Sequence, residues 1–410
     1  MRQADHIHAP SGARPGTGRW WWLLVFVLVA GRIAAVPITL DQRAAQGNHK
    51  VLTGDIRRFY TIATHRGTPY RDFEVEYPPL MLGAIKALDS STIGGATAAT
   101  MWSQLALDFA VAALLLWGWG RRAAVAYLII GAPFILYPFL YLRLDLLSVA
   151  LAVGGLALVR HRKPALGGVA LALACFAKVW PVLLVPSLLI RRSWRALAAF
   201  CAVGAVGVAA WVGWVGTKGL HQVLSMRGAR GWEIESTVGA VLRTWSPDKI
   251  RLNRGAWRFG VVPHWANLTL TSLVIVTVAA AWLLANRRRP HGAAVLDGTA
   301  AIAAIAAFLV FSPLLSPQFM IWMVPFAAIA AARGDRLVAG LVFAVVALSV
   351  LDFNLIWELV HTNQNLPQEI VLLRNALLLV LVGVCLARLF RRARGAALDV
   401  PSPRSVEAAA

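Results

Sequence analysis

Carboxylates are scarce in this sequence, and an unusual share of them falls in one short stretch. Only 19 of the 410 residues are Asp or Glu. Five of these lie between residues 41 and 76, namely Asp41, Asp55, Asp72, Glu74 and Glu76. A carboxylate within hydrogen-bond reach of a hydroxyl can accept its proton as the oxygen attacks an electrophile. The stretch is therefore either an ordinary solvated loop or the source of a general base.

Three further charged residues are surrounded by apolar sequence. Arg143 and Asp145 lie in YLRLDLLSVAL, and Lys178 lies in CFAKVWPVLLVP. A charge at membrane depth costs about 2.5–3.5 kcal/mol, so such residues are expected to be paired or functional. Arg143 and Asp145 can form a mutual or interhelix ion pair, and Lys178 can extend its ammonium group to the interface. Alternatively, the two cations bind an anionic phosphate.

The segment 217–262 contains basic residues interleaved with tryptophans. They include Arg227, Arg230, Arg243, Lys249, Arg251, Arg254 and Arg258, together with Trp232, Trp245 and Trp257. Two interpretations fit this pattern. One is a solvated surface, and the other is an interfacial helix that binds anionic headgroups or a phosphate.

The sequence indicates neither a metal nor a nucleotide cofactor. His65, His264 and His361 are isolated, and no pair of histidines has metal-ligand spacing. A P-loop, a GxGxxG fingerprint and a GxSxG elbow are all missing from the sequence. We therefore expect no metal and no cofactor.

The elements that position these residues must lie in a bilayer. Hydrophobic residues make up 59% of the chain and the mean hydropathy is +0.65, which is too apolar for a soluble protein of this length. Apolar runs of roughly 20 residues predict spanning helices, whereas a β-barrel would show short alternating segments. The net charge of +21 arises from short basic clusters between apolar runs. The positive-inside rule explains such clusters, so we do not expect a nucleic-acid partner.

We predict an all-α polytopic membrane protein with about 10 to 12 transmembrane helices, including short broken ones. Its parts are a cytoplasmic tail (1–18), a single transmembrane domain (19–394) and a disordered cytoplasmic tail (395–410). External loops are expected at 41–76, 217–262, 312–318 and 353–367. Two short helices between 164 and 190 should form a V with Lys178 near its apex. The segment 78–88 is either a crossing or a re-entrant or interfacial piece.

The stretch GDIRRFYTIATHRGTPYRDFEVEYPPL, from Gly54 to Leu80, has a recognisable order of residues. The order is an Asp, a Tyr about five residues later, Gly-x-x-x-Tyr, and then Tyr-Pro-Pro. In this sequence the second Tyr is one residue closer to the Gly. The matching positions are Asp55, Tyr60, Gly67, Tyr70 and Tyr77-Pro78-Pro79. Leu144-Asp145-Leu146, FAKVWPVLLVPSLLIRR and FSPLLSPQFMIWMVP follow in the expected order. Together these pieces resemble glycosyltransferase family 87, whose GT-C fold enzymes include polyprenyl-phosphate-mannose-dependent mannosyltransferases.

The resemblance implies a GT-C-like helical bundle and a membrane glycosyltransferase, a mannosyltransferase in our interpretation. The donor would be a polyprenyl-phosphate-sugar, reached from the lipid bilayer, and the acceptor an extracytoplasmic glycolipid or polysaccharide. Both termini would be cytoplasmic and the active site extracytoplasmic. A transporter or flippase of lipid-linked glycans is the alternative, although no internal repeat of the kind common in transporters is visible.

The residues expected to carry this reaction fall into three groups. Asp55 is the predicted catalytic base. Lys178 and Arg143 are the predicted contacts of the donor phosphate. The pocket candidates for donor or acceptor are Tyr60, Tyr77, Glu76, Gln318 and His264.

Overall fold

The structure is a computed structural model that describes most of the chain. The described residues are 19–46, 54–136, 138–225, 230–246, 249–253, 256–287, 298–361 and 365–398. The predicted tail 1–18 lies outside them, as does 399–410 of the predicted tail 395–410. Residues 395–398 of that second tail are helical, because the last helix continues beyond the expected boundary.

Six helices in the described part of the chain are long and apolar enough to cross a membrane. They are α1 (Arg19–Gln46), α4 (Ile93–Trp119), α10 (Trp194–Val215), α13 (His264–Asn286), α16 (Arg336–His361) and α17 (Asn365–Leu398). Large apolar side chains on their outer faces are exposed, for example Val206 on α10 and Ile275 on α13. Such faces require lipid as their solvent, so the predicted polytopic helical protein is confirmed.

The remaining helices are shorter. They are α2 (Gly54–Thr64), α3 (Pro79–Ala87), α5 (Arg121–Ile130), α6 (Pro133–Leu136), α7 (Asp145–Arg160), α8 (Pro164–Ala177), α9 (Pro186–Ile190), α11 (Lys218–Leu224), α12 (Thr237–Arg243), α14 (Thr299–Val310) and α15 (Val324–Ala332). In the described part of the chain, three 3₁₀ segments also belong to the bundle: Pro138–Leu142, Trp180–Leu184 and Pro317–Trp322. The prediction of short broken helices is thus confirmed. With nine residues, α3 spans about 13 Å and is too short to cross. Among the described residues between segment 41–76 and Arg121, α4 is the helix long enough to cross.

Prolines produce the break at Lys178. Helix α8 ends at Ala177, Lys178 has extended backbone angles, and a 3₁₀ turn containing Pro181 leads into α9, which begins at Pro186. Proline is accepted in the first turn of a helix. It cannot continue an existing helix, because it lacks the N–H group that would bond to the carbonyl four residues earlier. The two arms therefore meet at Lys178, as the predicted V requires.

Helices α7 and α8 pack with their backbones almost in contact. A Cβ atom at Gly155 would lie 2.9 Å from the carbonyl oxygen of Gly167, and one at Gly167 would lie 2.6 Å from that of Gly155. Small residues at helix interfaces allow this close approach in membranes. The glycines thereby fix the position of the Lys178 apex relative to Asp145, the first residue of α7.

Segment 217–262 is more ordered than a solvated loop or a single interfacial helix. It contains α11, α12 and an antiparallel sheet of order β1-β3-β2, with β1 (Trp232–Glu233), β2 (Arg251–Asn253) and β3 (Ala256–Phe259). Glu233 is opposite Arg258 and Trp232 is opposite Phe259. Both aromatic rings are buried against the start of α13, so the tryptophan pattern is explained in part by a small apolar core.

Two other expected loops are partly helical. Helix α1 continues to Gln46 and α2 occupies 54–64, so helices fill much of segment 41–76. Helix α16 runs through 353–361, where the sequence predicts the loop 353–367, because apolar helix-forming residues continue beyond Asp352. Segment 312–318 is non-helical until the 3₁₀ turn that starts at Pro317.

A buried polar network joins the first helix to the bundle. The Arg32 guanidinium pairs with Asp108 at 3.0 Å and donates to the Leu128 carbonyl at 2.9 Å. Asp108 also accepts hydrogen bonds from the hydroxyls of Tyr127 and Tyr141. Since Tyr141 belongs to the 3₁₀ segment just before Arg143, this network fixes the backbone that presents Arg143.

Candidate active site

The Asp55 carboxylate forms an ion pair with the Arg143 guanidinium. Asp55 is in the first turn of α2, where the helix dipole favours a negative charge. Arg143 lies between the 3₁₀ segment and α7, and its side chain is 12% exposed against 30% for Asp55. The predicted base is therefore held in place but remains open on one side.

A second ion pair, between Lys178 and Asp145, lies near the first, where α7 begins. The Lys178 ammonium donates to Asp145 Oδ1 over 2.6 Å, and the Trp322 indole donates to the same oxygen over 2.7 Å. Lys178 Nζ also lies 4.8 Å from the centre of the Phe319 ring and 5.3 Å from that of Trp322. An ammonium over aromatic faces gains cation–π attraction. The 312–322 segment thus forms one wall of this site.

The charged residues around α7 pair between elements. Arg143 pairs with Asp55 of α2, whereas Asp145, two residues later, pairs with Lys178 after α8. The structure therefore has the interhelix form of the expected pairing, and Lys178 contacts a carboxylate at the apex. Two carboxylates and two cations are brought to one end of the bundle.

Two of the pocket candidates lie close to these ion pairs. The charges of Asp55 and Arg143 act on Tyr77, and burial, followed by Glu76, raises the pKa of Tyr77 well above its usual value. Tyr77 packs edge-on against Phe59, with ring centres 5.7 Å apart. Glu76 is held by Arg58 at 2.9 Å. These contacts hold the side chains of Tyr77 and Glu76 in place beside the ion pairs.

Gln318 and Tyr60 have partners other than these ion pairs. Gln318 accepts a hydrogen bond from Ser316 and precedes Phe319, which contacts Lys178. Tyr60 donates to the Ser91 carbonyl at 3.3 Å and lines an apolar pocket of about 250 Å³, which includes space open to solvent.

His264 is not brought to the site. It is exposed at the first residue of α13, which packs chiefly against α14 and α17 rather than against α2, α7 or α8.

A buried charged cluster near the sheet is absent from the sequence-based candidates. Arg374 of α17 pairs with Asp352 of α16 at 2.6 Å and donates to the Glu235 carbonyl at 2.7 Å. Glu233 accepts a hydrogen bond from the Leu315 N–H at 2.5 Å, and its own N–H donates to the Pro313 carbonyl at 3.2 Å. Charged residues inside the apolar runs of α16 and α17 were the signal that could have revealed this cluster.

Burial governs the ionisation of Glu233. Removal from water raises the pKa of Glu233 to about 8, although the charge of Arg258 opposes the effect. Desolvation disfavours the charged carboxylate more than the neighbouring guanidinium favours it.

The charged cluster and the ion pairs share structural supports. Phe353 follows Asp352, and the Arg143 guanidinium lies 5.7 Å from the centre of its ring. Leu315, which Glu233 binds, leads into the 3₁₀ segment that carries Phe319 and Trp322. The sheet thereby holds the wall beside Lys178. Among the described residues, no group of three or more His, Cys, Asp or Glu side chains could hold a metal ion.

The fold and site define a class: a multi-pass helical membrane protein with paired charges concentrated at one end of its bundle. Residues 76–317, more than half of the chain, match the model of glycosyltransferase family 87. The chain belongs to that family and is therefore a membrane glycosyltransferase. The matched segment includes Arg143, Asp145 and Lys178, and Asp55 precedes it.

One solved structure similar to this chain is that of ArnT from Cupriavidus metallidurans in the apo state. The two chains share 13% sequence identity with a TM-score of 0.42, and the similarity covers 91% of this chain and 77% of that one. No curated protein matches the sequence.

Proposed function

We propose that this glycosyltransferase moves a sugar, mannose in our interpretation, from a polyprenyl-phosphate carrier to a hydroxyl of a glycolipid or polysaccharide. The acceptor lies on the extracytoplasmic side, and Asp55 is the general base. The observation that carries the proposal is the juxtaposition of one partly exposed carboxylate, Asp55, with two cations, Arg143 and Lys178, at one end of the bundle.

The chemical step needs these charges in this combination. The acceptor oxygen attacks the anomeric carbon, and the bond from that carbon to the phosphate oxygen breaks. The electron pair leaves with the polyprenyl phosphate, while the hydroxyl proton passes to the Asp55 carboxylate. Arg143 and Lys178 neutralise the negative charge that gathers on the departing phosphate. A single phosphate carries less charge than a diphosphate, so two cations suffice without a metal ion.

Donor binding prepares the base. The phosphate of the donor competes with Asp55 for Arg143, since both anions bind the same cation, while Lys178 binds the phosphate and keeps its pair with the buried Asp145. Charge-assisted contacts with phosphate are strong enough to replace an ion pair that is open to solvent. Asp55 is then released from Arg143 beside the bound donor. The carboxylate can therefore accept the proton of the acceptor hydroxyl when the donor is in place.

Purified protein in proteoliposomes, incubated with radiolabelled polyprenyl-phosphate-mannose and a lipid extract as acceptor, tests the proposal. We expect a new covalent product and release of polyprenyl phosphate, and a parallel reaction with polyprenyl-phosphate-glucose tests the sugar. Movement of intact donor across the bilayer without a product would instead indicate a flippase.

A further inference from the structure

Three arginines lie at the ends of three helices whose preceding turns line one pocket. Arg160 is the last residue of α7, Arg191 directly follows α9, and Arg333 directly follows α15. The charge of Arg333 acts on Arg160, and that of Arg160 acts on Arg191. Burial and then Arg160 lower the pKa of the Arg191 guanidinium. Within the described chain, the charges that influence Arg160 and Arg191 are those of arginines and not of carboxylates.

Helix ends explain only part of this arrangement. A helix C-terminus carries a partial negative charge that favours one cation, but it does not explain three that repel one another. Arg191 Nη1 is buried and has no hydrogen-bond partner. A buried guanidinium nitrogen without an acceptor is costly, so this group requires an anion.

An apolar pocket lies one helical turn deeper. Its lining includes Leu156, Ser187 and Ile329, which precede Arg160, Arg191 and Arg333 by four residues each. The cavity inside the pocket is about 10 Å³, enough for one water-sized group, and its other walls include Trp119, Trp282 and Phe326. The Ser187 hydroxyl is buried, with the residue 1% exposed, and it has no hydrogen-bond partner.

This pocket is separate from the candidate active site. The ion pairs lie at the first residue of α7, and Arg160 is the last. With 16 residues, α7 places about 24 Å between them. A ligand at the arginines therefore cannot be the reacting donor phosphate.

We propose that the arginines and the pocket together bind one anionic phospholipid of the surrounding bilayer. The three guanidinium groups hold its headgroup phosphate, and an ester carbonyl of its glycerol fills the water-sized space beside Ser187, whose hydroxyl donates to it. An acyl chain covers the apolar residues at the mouth of the pocket. A free phosphate would satisfy the arginines but would leave the apolar lining and Ser187 without a partner. The combination of charge and apolar surface fits a lipid.

Native mass spectrometry of delipidated protein tests the site, with phosphatidylglycerol and phosphatidylcholine of identical chains as probes. Wild-type protein should retain phosphatidylglycerol preferentially. Combined Arg160→Gln, Arg191→Gln and Arg333→Gln substitutions should weaken its binding about 100-fold, because each basic side chain contributes roughly fivefold. A matched control carries Arg66→Gln, Arg230→Gln and Arg251→Gln, three exposed arginines in segments 41–76 and 217–262, and should bind as wild type does.

If the triple variant does not fold, Arg333→Gln alone remains informative, since that side chain is exposed and its loss should weaken binding about fivefold. Glycerophosphoglycerol, which has the phosphate without acyl chains, should not bind measurably. Equal binding of the two lipids, unchanged binding by a folded variant, or binding of glycerophosphoglycerol as tight as that of the lipid would each overturn the proposal.

Discussion

The Lys178 ammonium and the Asp145 carboxylate lie 2.6 Å apart, and the carboxylate side chain is only 3% exposed. Asp145 therefore depends on Lys178 and on the Trp322 indole for compensation of its charge. Removing one partner of a buried pair costs more than removing both, because the remaining charge is left without compensation. A structural role of Lys178 can therefore be tested separately from a role in donor binding, by comparing variants that remove one or both partners.

Lys178→Met should lower the free energy of unfolding by about 3 kcal/mol, while Lys178→Met with Asp145→Asn should recover most of that loss. If Lys178 also binds the donor phosphate, the double variant will be stable but will keep a raised KM for the donor. Thermal unfolding and initial rates measure the two effects. Lys86→Met, at an exposed lysine on α3, is the control. A double variant with normal KM would remove Lys178 from the donor site.

Asp55→Asn should reduce the rate of sugar transfer by about 100-fold or more, since the amide keeps the shape but cannot accept the proton. Asp72→Asn is the matched control, because Asp72 is an exposed carboxylate in the same segment. Rates at saturating donor and acceptor, with unfolding temperatures for both variants, are the measurement. Transfer by Asp55→Asn at the rate of the Asp72→Asn control would exclude Asp55 as the base.

Glu233 should make stability depend on pH. Its folded pKa is raised to about 8 from an ordinary 4.5, so the folded state holds a proton that the unfolded state releases. The stabilisation is complete below pH 4.5 and is lost as pH rises toward 8. Glu233→Gln resembles the neutral acid and still accepts from Leu315, so it should match wild type near pH 4.5 and unfold several degrees higher at pH 8. Parallel pH profiles for the two proteins would contradict this assignment.

Transfer should not require a divalent cation. In the proposed mechanism Arg143 and Lys178 neutralise the leaving phosphate, which carries less charge than a diphosphate would. Initial rates should therefore be unchanged after dialysis against EDTA. Loss of activity that manganese restores would show that the two cations are insufficient.

The two ends of the bundle should face opposite sides of the membrane, with Asp55 outside. Single cysteines at Thr217 and Arg336, both exposed, report on the two ends when Cys175, Cys201 and Cys385 are removed. A membrane-impermeant maleimide applied to intact cells should label the cysteine at 217 and spare that at 336. The reverse pattern would place the Asp55 end in the cytoplasm and refute the proposed extracytoplasmic reaction.

Hydropathy predicts most of the helical framework, because the bilayer requires long apolar runs to be helices. The apolar runs near 196–216 and 263–285 predict two spanning helices, and α10 and α13 match them within about two residues. Polar residues are a weaker guide to loops. Asp352 suggests the start of a loop, yet it remains in α16 because Arg374 on the neighbouring helix compensates its charge.

The pairing of charges is what the sequence alone does not determine. It identifies Asp55, Arg143 and Lys178 as unusual, since charges are costly in apolar surroundings. The sequence does not show that Arg143 pairs with Asp55 and Asp145 with Lys178, because the pairing depends on how α2, α7 and α8 pack. The small sheet escapes prediction for a similar reason: its strands have two to four residues, and Glu233 pairs with a distant Arg258.

The partnership of Arg32 with Asp108 has a consequence for the synthesis of the protein. The two residues are 76 positions apart, so at 5–20 residues per second Asp108 leaves the ribosome about 4 to 15 s after Arg32. Throughout that interval the first helix carries an arginine whose insertion costs about 2.5–3.5 kcal/mol and whose partner does not yet exist. The nascent first helix therefore carries this uncompensated cost until α4 arrives and Asp108 pairs with Arg32.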